Sequence, residues 1–316
     1  MMNVQQAALI AANRINSYVR ETPVEHSRWL SKKTGALVWL KCENLQHTGS
    51  FKFRGAMNKL LSLSNEERSP GVVAASTGNH GAAAAYAASL LEARCTIFVP
   101  KNASPTKLKA IEAYGAQIEK EGNDCLVAES AGRRYASENG MAYVPPYNDP
   151  DIVAGQGTTG LELIKQLPDV EAVFVSLGGG GLISGMAGAI KGNKSMTIVA
   201  CSPKNSSVMH QSVEAGRILH LESKPTLSDG TAGGVEEGAI TFDLCRELVD
   251  DYVLITEHEI AETFRAFMNN HNMLIEGSAA VAIAGFLKQQ ERWSRKQVAI
   301  VLCGANISTK TLKALL

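Results

Sequence analysis

The chain has 316 residues, more than one hydrophobic core usually organises, so two lobes are expected. Lys plus Arg and Asp plus Glu each number 31, and a formal charge of zero argues against a nucleic-acid or polyanion binder while leaving association between copies open. The six cysteines lack CxxC spacing and no apolar run approaches membrane-spanning length, which points to reduced thiols in a cytoplasmic protein without a membrane partner.

Apolar residues at helical spacing over 4–18 predict an opening amphipathic helix, which Thr22-Pro23 ends as an extended dipeptide. A strand over 37–40 leads into Lys41-Cys42-Glu43 and then Thr48-Gly49-Ser50-Phe51-Lys52-Phe53-Arg54-Gly55-Ala56. Ser50 is read as the N-cap of a helix over 51–63. Lys52 then lies in the first turn, where a cation gains nothing from the helix dipole. Such a lysine needs another use, for instance a covalent partner for its amine.

Strand-like and helical runs then alternate: 72–75 with 79–91, 95–99 with 105–114, and 117–119 with 124–138. The alternation predicts βαβ units, a parallel sheet and helices on both faces. Pro145-Pro146-Tyr147-Asn148-Asp149-Pro150 marks a crossing between lobes. Beyond it come a helix over 152–166, a strand over 172–176, a helix over 182–190 and a strand over 197–201. A strand at 253–255, helices over 260–270 and 278–289 and a strand over 298–302 complete the pattern. Residues 202–240 read as irregular, and a stretch that long is usually functional or mobile.

Three turns follow strand ends. Ser176-Leu177-Gly178-Gly179-Gly180-Gly181-Leu182 runs into a helix, so backbone N–H groups can converge on a phosphate; alternatively the glycines let helix and sheet pack closely. No Lys-Ser/Thr follows the glycines as in a P-loop, and no acidic residue completes a dinucleotide fingerprint. Ser76-Thr77-Gly78-Asn79-His80-Gly81 opens an alanine-rich helix with groups able either to hold a carboxylate or simply to cap it. Leu302-Cys303-Gly304-Ala305-Asn306 offers a thiol that is either an inert buried group or a neutral ligand partner. In open parallel sheets, ligands sit beyond the carboxyl ends of strands, where all three turns lie.

Taken in order, these motifs together with Glu276 resemble the fold type II family of pyridoxal-phosphate enzymes, in the branch of threonine and serine dehydratases and serine racemase. The resemblance runs from Thr22-Pro23 to Asn306. It implies an α/β fold of two domains with open parallel sheets, similar to the tryptophan synthase β chain. Residues 1–65 and 149–316 would form the large cofactor-binding domain and 66–148 a smaller mobile one, in a homodimer.

By the same resemblance Lys52 would bind the pyridoxal 5'-phosphate and move protons at the substrate Cα, with Phe51 beside the ring. Asn79 would bond the phenolic oxygen, the backbone of Gly178, Gly179, Gly180, Gly181 and Leu182 the phosphate, and Cys303 would face the pyridine nitrogen. Ser76, Thr77, Asn79 and His80 would bracket the carboxylate of an amino-acid substrate. Glu276 would lie near the cofactor, or serve as a carboxylate opening the following helix. The implied reaction is β-elimination from a β-hydroxy L-amino acid such as L-threonine or L-serine, giving a 2-oxo acid and ammonia. A neutral partner on the pyridine nitrogen would shorten the carbanion's life and favour elimination over transamination.

There are departures from the family pattern. Thr77 stands where serine racemase has the serine that acts on the second cofactor face, so racemisation through Lys52 and Thr77 is an alternative. The stretch Ser202-Pro203-Lys204-Asn205-Ser206-Ser207-Val208 lacks the carboxylates that hold a divalent cation in racemase-like members, and none of the seven histidines has trusted ligand spacing, so no metal is expected. The chain ends at Leu316, without room for the regulatory domain of biosynthetic threonine deaminases, so isoleucine feedback is not expected. Thr231-Ala232-Gly233-Gly234-Val235-Glu236 is similar to members acting on hydroxyectoine-pathway compounds, phenylserine or 3-hydroxyaspartate, which makes these alternative substrates. A binder without turnover is the reading from a different class.

Overall fold

The computed structural model describes residues 2–103 and 105–316. Among them the chain builds a six-stranded sheet in the order β1-β2-β10-β7-β8-β9 and a four-stranded sheet in the order β5-β4-β3-β6. The first comprises β1 (Val24–His26), β2 (Leu37–Lys41), β7 (Ala172–Ser176), β8 (Thr197–Pro203), β9 (Asp251–Ile255) and β10 (Gln297–Val301). The second comprises β3 (Val72–Ala75), β4 (Cys95–Val99), β5 (Gln117–Lys120) and β6 (Ala142–Tyr143). Neighbouring strands are parallel except β1, which runs antiparallel to β2. Every residue of β4 and β7 is buried, which is why these strands read as unbroken apolar runs.

Before the second sheet come α1 (Val4–Ile15), α2 (Arg28–Thr34), α3 (Lys52–Ser62) and α4 (Asn65–Arg68). The second sheet carries α5 (Asn79–Leu90), α6 (Pro105–Glu112) and α7 (Cys125–Glu138). Then follow α8 (Pro150–Gln166), α9 (Gly181–Lys191), α10 (Val208–Ala215), α11 (Ile240–Leu248), α12 (Glu257–His271), α13 (Gly277–Lys288) and α14 (Thr309–Leu315). None of the described helices is long and apolar enough to cross a membrane.

Helix α8 sets the spacing that matters for the site. It touches α3 through glycine, since a Cβ on Gly155 would lie 2.7 Å from the Cα of Gly55. It meets α9 in the same way, a Cβ on Gly185 falling 2.4 Å from the Val153 carbonyl oxygen. Backbones that close admit no side chain between them, so the helix bearing Lys52 and the helix following the glycine turn are held at fixed distances from one rigid element.

Three readings from the sequence need correction. Ser50 is not an N-cap: Phe51 takes that position with helical dihedrals and no side-chain cap bond. The backbone of Ser50 is instead drawn into a bridge with Gly304, and the Phe51 N–H bonds the Cys303 carbonyl at 3.1 Å, which pulls the Ser50 hydroxyl off the helix end. Residues 202–240 are not wholly irregular, since β8 continues to Pro203 and α10 and a short 3-10 turn at Asp229–Thr231 lie inside them. Strands β1 and β6 and helices α2, α4, α11 and α14 were not foreseen: α11 does carry apolar residues at helical spacing (Ile240, Leu244, Leu248), and the others are too short for a periodic pattern to show.

Candidate active site

One cavity gathers the ends of β7, β10 and α3 with the first turn of α5. Its walls include Phe51, Lys52, Asn79, Tyr147, Gly178 to Leu182, Thr231, Glu276 and Cys303. Lys52, the first residue of α3, donates from Nζ to the Pro146 carbonyl at 2.6 Å and stands 5.2 Å from the centre of the Phe51 ring. Burial pushes its amine down to about 8, and the neighbouring Cys303 and Glu276 oppose this only to the extent that they ionise. A fraction of the amine is therefore unprotonated near neutral pH, which a nucleophile or base requires.

The glycine turn presents backbone alone. A Cβ on Gly178 would sit 2.8 Å from the Thr231 Cα, and one on Gly179 would sit 2.5 Å from the Tyr147 ring. Gly180 has a φ of +88°, a left-handed conformation that side-chain-bearing residues avoid. The first-turn N–H groups of α9 have no acceptor within their own helix and carry its positive dipole end, so the concavity suits an anion.

Asn79 is fixed on both sides of its amide. Its Nδ2 donates to both Glu276 oxygens at 3.0 and 3.1 Å, and its Oδ1 accepts from Asn306 Nδ2 at 2.7 Å. Glu276 is 3% exposed and also accepts the Asn306 N–H at 3.2 Å. Burial raises the Glu276 carboxyl to about 7 in spite of these donors. Burial, reinforced by Glu276, also pushes the Cys303 thiol far above its ordinary range, so Cys303 meets the cavity as a neutral group.

Ser76 and Thr77 form the turn into α5 and are partly exposed; the Ser76 hydroxyl accepts the Gly78 N–H at 3.1 Å. Neither they nor His80 belong to the cavity wall just described. The His80 ring instead bonds the Val144 carbonyl at 2.8 Å, and burial with the nearby Lys52 charge lowers it to about 3. Tyr147, Ser176, Gly230 and Ser278 line the cavity without having been singled out. Tyr147 had a usable signal, because it sits just beyond a strand end in the proline-rich crossing. Asn306, in the third turn, shows no sign in the sequence of its bond to Asn79, 227 residues away.

An amine with a lowered pKa, a side-chain-free anion cradle and a neutral thiol facing one space fit a phosphorylated aldehyde cofactor better than a metal or a dinucleotide. That combination defines a pyridoxal-phosphate enzyme with parallel-sheet architecture. The chain belongs to the family described as pyridoxal-phosphate dependent enzyme, whose signature matches residues 15–304. Pyridoxal phosphate is its cofactor.

The chain is 39% identical to L-threo-3-hydroxyaspartate ammonia-lyase of Saccharomyces cerevisiae, over 98% of this chain and 94% of that one. It is 42% identical to L-threonine ammonia-lyase of Thermotoga maritima, over 96% of this chain and 75% of that one. Among solved structures, maize serine racemase superposes with a TM-score of 0.92 at 34% identity, covering 98% of this chain and 95% of that one. The fold is thus that of the fold type II pyridoxal-phosphate enzymes.

Proposed function

We propose that the chain is an ammonia-lyase that removes the β-hydroxyl and α-amino groups of a small β-hydroxy L-amino acid, with L-threonine or L-serine as default substrate, giving a 2-oxo acid and ammonia. The carrying observation is the Lys52 amine, lowered to about 8 in the same cavity as the glycine cradle. The relatives named ammonia-lyase support the reaction type.

When bound, pyridoxal phosphate supplies the electron sink that lets the Cα proton leave. The N–H groups of Gly178 to Leu182 would hold its phosphate, Phe51 would lie beside its ring, Asn79 would bond its phenolic oxygen and Cys303 would face its pyridine nitrogen. Glu276 acts on the same site by orienting the Asn79 amide. Lys52 would hold the cofactor through its amine and, as a free amine, would take and return the proton at the substrate Cα. Ser76, Thr77, Asn79 and the backbone N–H of His80, at the entrance of α5, would hold the substrate carboxylate where the helix end favours an anion, while the His80 ring is engaged by the Val144 carbonyl.

The similarity to serine racemase supports a second reading, with Thr77 as an acid/base on the other face. We also infer a homodimer in the cytoplasm whose smaller unit, residues 66–148, moves against the larger.

Purified enzyme should be offered L-threonine, L-serine, threo-3-hydroxyaspartate and phenylserine, with 2-oxo acid, ammonia and inverted enantiomer all measured. Release of 2-oxo acid and ammonia fastest from a neutral substrate is expected. Accumulation of the opposite enantiomer without 2-oxo acid would replace the lyase with the racemase, and a strong preference for hydroxyaspartate would overturn the substrate class.

A further inference from the structure

The segment joining β6 to α8 makes two contacts that the proposed reaction does not use. Its Pro146 carbonyl accepts the Lys52 amine at 2.6 Å, and two residues earlier its Val144 carbonyl accepts from His80 Nε2 at 2.8 Å. The Val144 N–H is bonded to the Val73 carbonyl at 2.8 Å, so this point is pinned to β3 as well as to α5. Pro145 and Pro146 follow, each with a fixed φ and no N–H, and a chain pinned at Val144 transmits that direction to the Pro146 carbonyl with little freedom.

We propose that His80 is a positioning residue for the Lys52 amine: through Val144 and the two prolines it holds the Pro146 carbonyl where the amine docks whenever it is not covalently engaged. The proposal rests on Lys52 being the cofactor lysine. His80 is 4% exposed and directs a hydrogen bond away from the cavity wall, which suits a group acting through the backbone rather than on substrate.

The charge environment separates this role from others. Lys52 has Glu276 and Cys303 on its β10 and α13 side, and its own charge disfavours a proton on His80 of α5. His80 remains neutral, since it lies at about 3, so it contributes an Nε2–H donor and not a charge. The Pro146 carbonyl stabilises the ammonium form of Lys52 against burial. Moving that carbonyl leaves burial less opposed and lowers the Lys52 pKa further.

The test is the pH dependence of imine formation between the full-length apoprotein and added pyridoxal phosphate, followed by absorbance. The adduct is fixed with borohydride and located by peptide mass spectrometry. In the wild type the rate should rise with a midpoint near 8. His80→Leu should lower the midpoint by about half a pH unit or more and slow the plateau rate several-fold, while His80→Gln, which keeps a donor, should stay close to wild type.

Should His80→Leu fail to fold, Pro146→Ala frees the same carbonyl without touching α5 and should shift the midpoint in the same direction. A folded His80→Leu or Pro146→Ala protein whose profile coincides with wild type overturns the proposal. A substrate-binding role for His80 would raise KM and leave this profile unmoved. A wild-type adduct on any lysine other than Lys52 overturns the underlying reading, before any variant is compared.

Discussion

Glu276 illustrates how much one buried carboxyl can do. Burial raises it to about 7 from an ordinary 4.5, so the folded chain holds a proton there that the unfolded chain releases. The associated stability is fully present below about 4.5 and is lost as pH rises through 7, a change of about 3 kcal/mol. Urea unfolding of the apoprotein between pH 5 and 7.5 should show this decline, and Glu276→Gln should flatten it. Parallel pH slopes in the two proteins would refute the assignment. Lys52 was legible in the sequence because its neighbours form a recognisable motif, whereas its acceptor, a backbone carbonyl 94 residues away, leaves no trace in residue type.

At the scale of elements, α3 is held by a buried ion cluster as well as by its glycine contact with α8. Arg54 and Glu43 are both fully buried, joined by bonds of 2.7 and 2.8 Å, and Arg54 also donates to Glu162 at 2.6 and 2.8 Å. Lys41 completes the set with a 2.6 Å bond to Glu162. Burial alone would raise the Glu43 carboxyl, but the Arg54 guanidinium holds it below its usual range. Glu43→Gln would leave that guanidinium undercompensated, and a loss of about 3 kcal/mol in unfolding free energy is expected. A loss under about 1 kcal/mol would mean that the glycine contacts alone fix α3.

The strands at 72–75, 95–99 and 172–176 were legible to the residue because burial on both faces makes them continuous apolar runs. The ion cluster was not, because charged residues in a sequence read as surface until their partners are known.

Across the whole molecule, Glu236, in the segment leading into α11, ties that segment to α7 beside the second sheet and to the crossing at Tyr147 and Asn148. Its carboxylate pairs with Arg133 of α7 and accepts the Asn148 amide at 2.6 Å, and its N–H donates to the Tyr147 hydroxyl at 2.8 Å. The Tyr147 ring in turn covers Gly179. If the smaller unit closes on substrate as proposed, Glu236→Gln weakens the closed form and raises KM about two- to fivefold, a difference that high salt erases because the pair is partly exposed. An unchanged KM would remove the pair from the closing motion. Glycine, serine and proline made residues 202–240 read as loop, and that hid both α10 and this contact, which exists only once the sheets are assembled.

The central claim is that Lys52 carries pyridoxal phosphate with the phosphate in the Gly178 to Leu182 cradle. Borohydride reduction of the purified enzyme, followed by digestion and peptide mass spectrometry, tests it most directly. The expected result is a single phosphopyridoxyl group on Lys52, absent from Lys52→Ala. An unmodified Lys52 in enzyme saturated with the cofactor, or a modification confined to another lysine, would contradict the account.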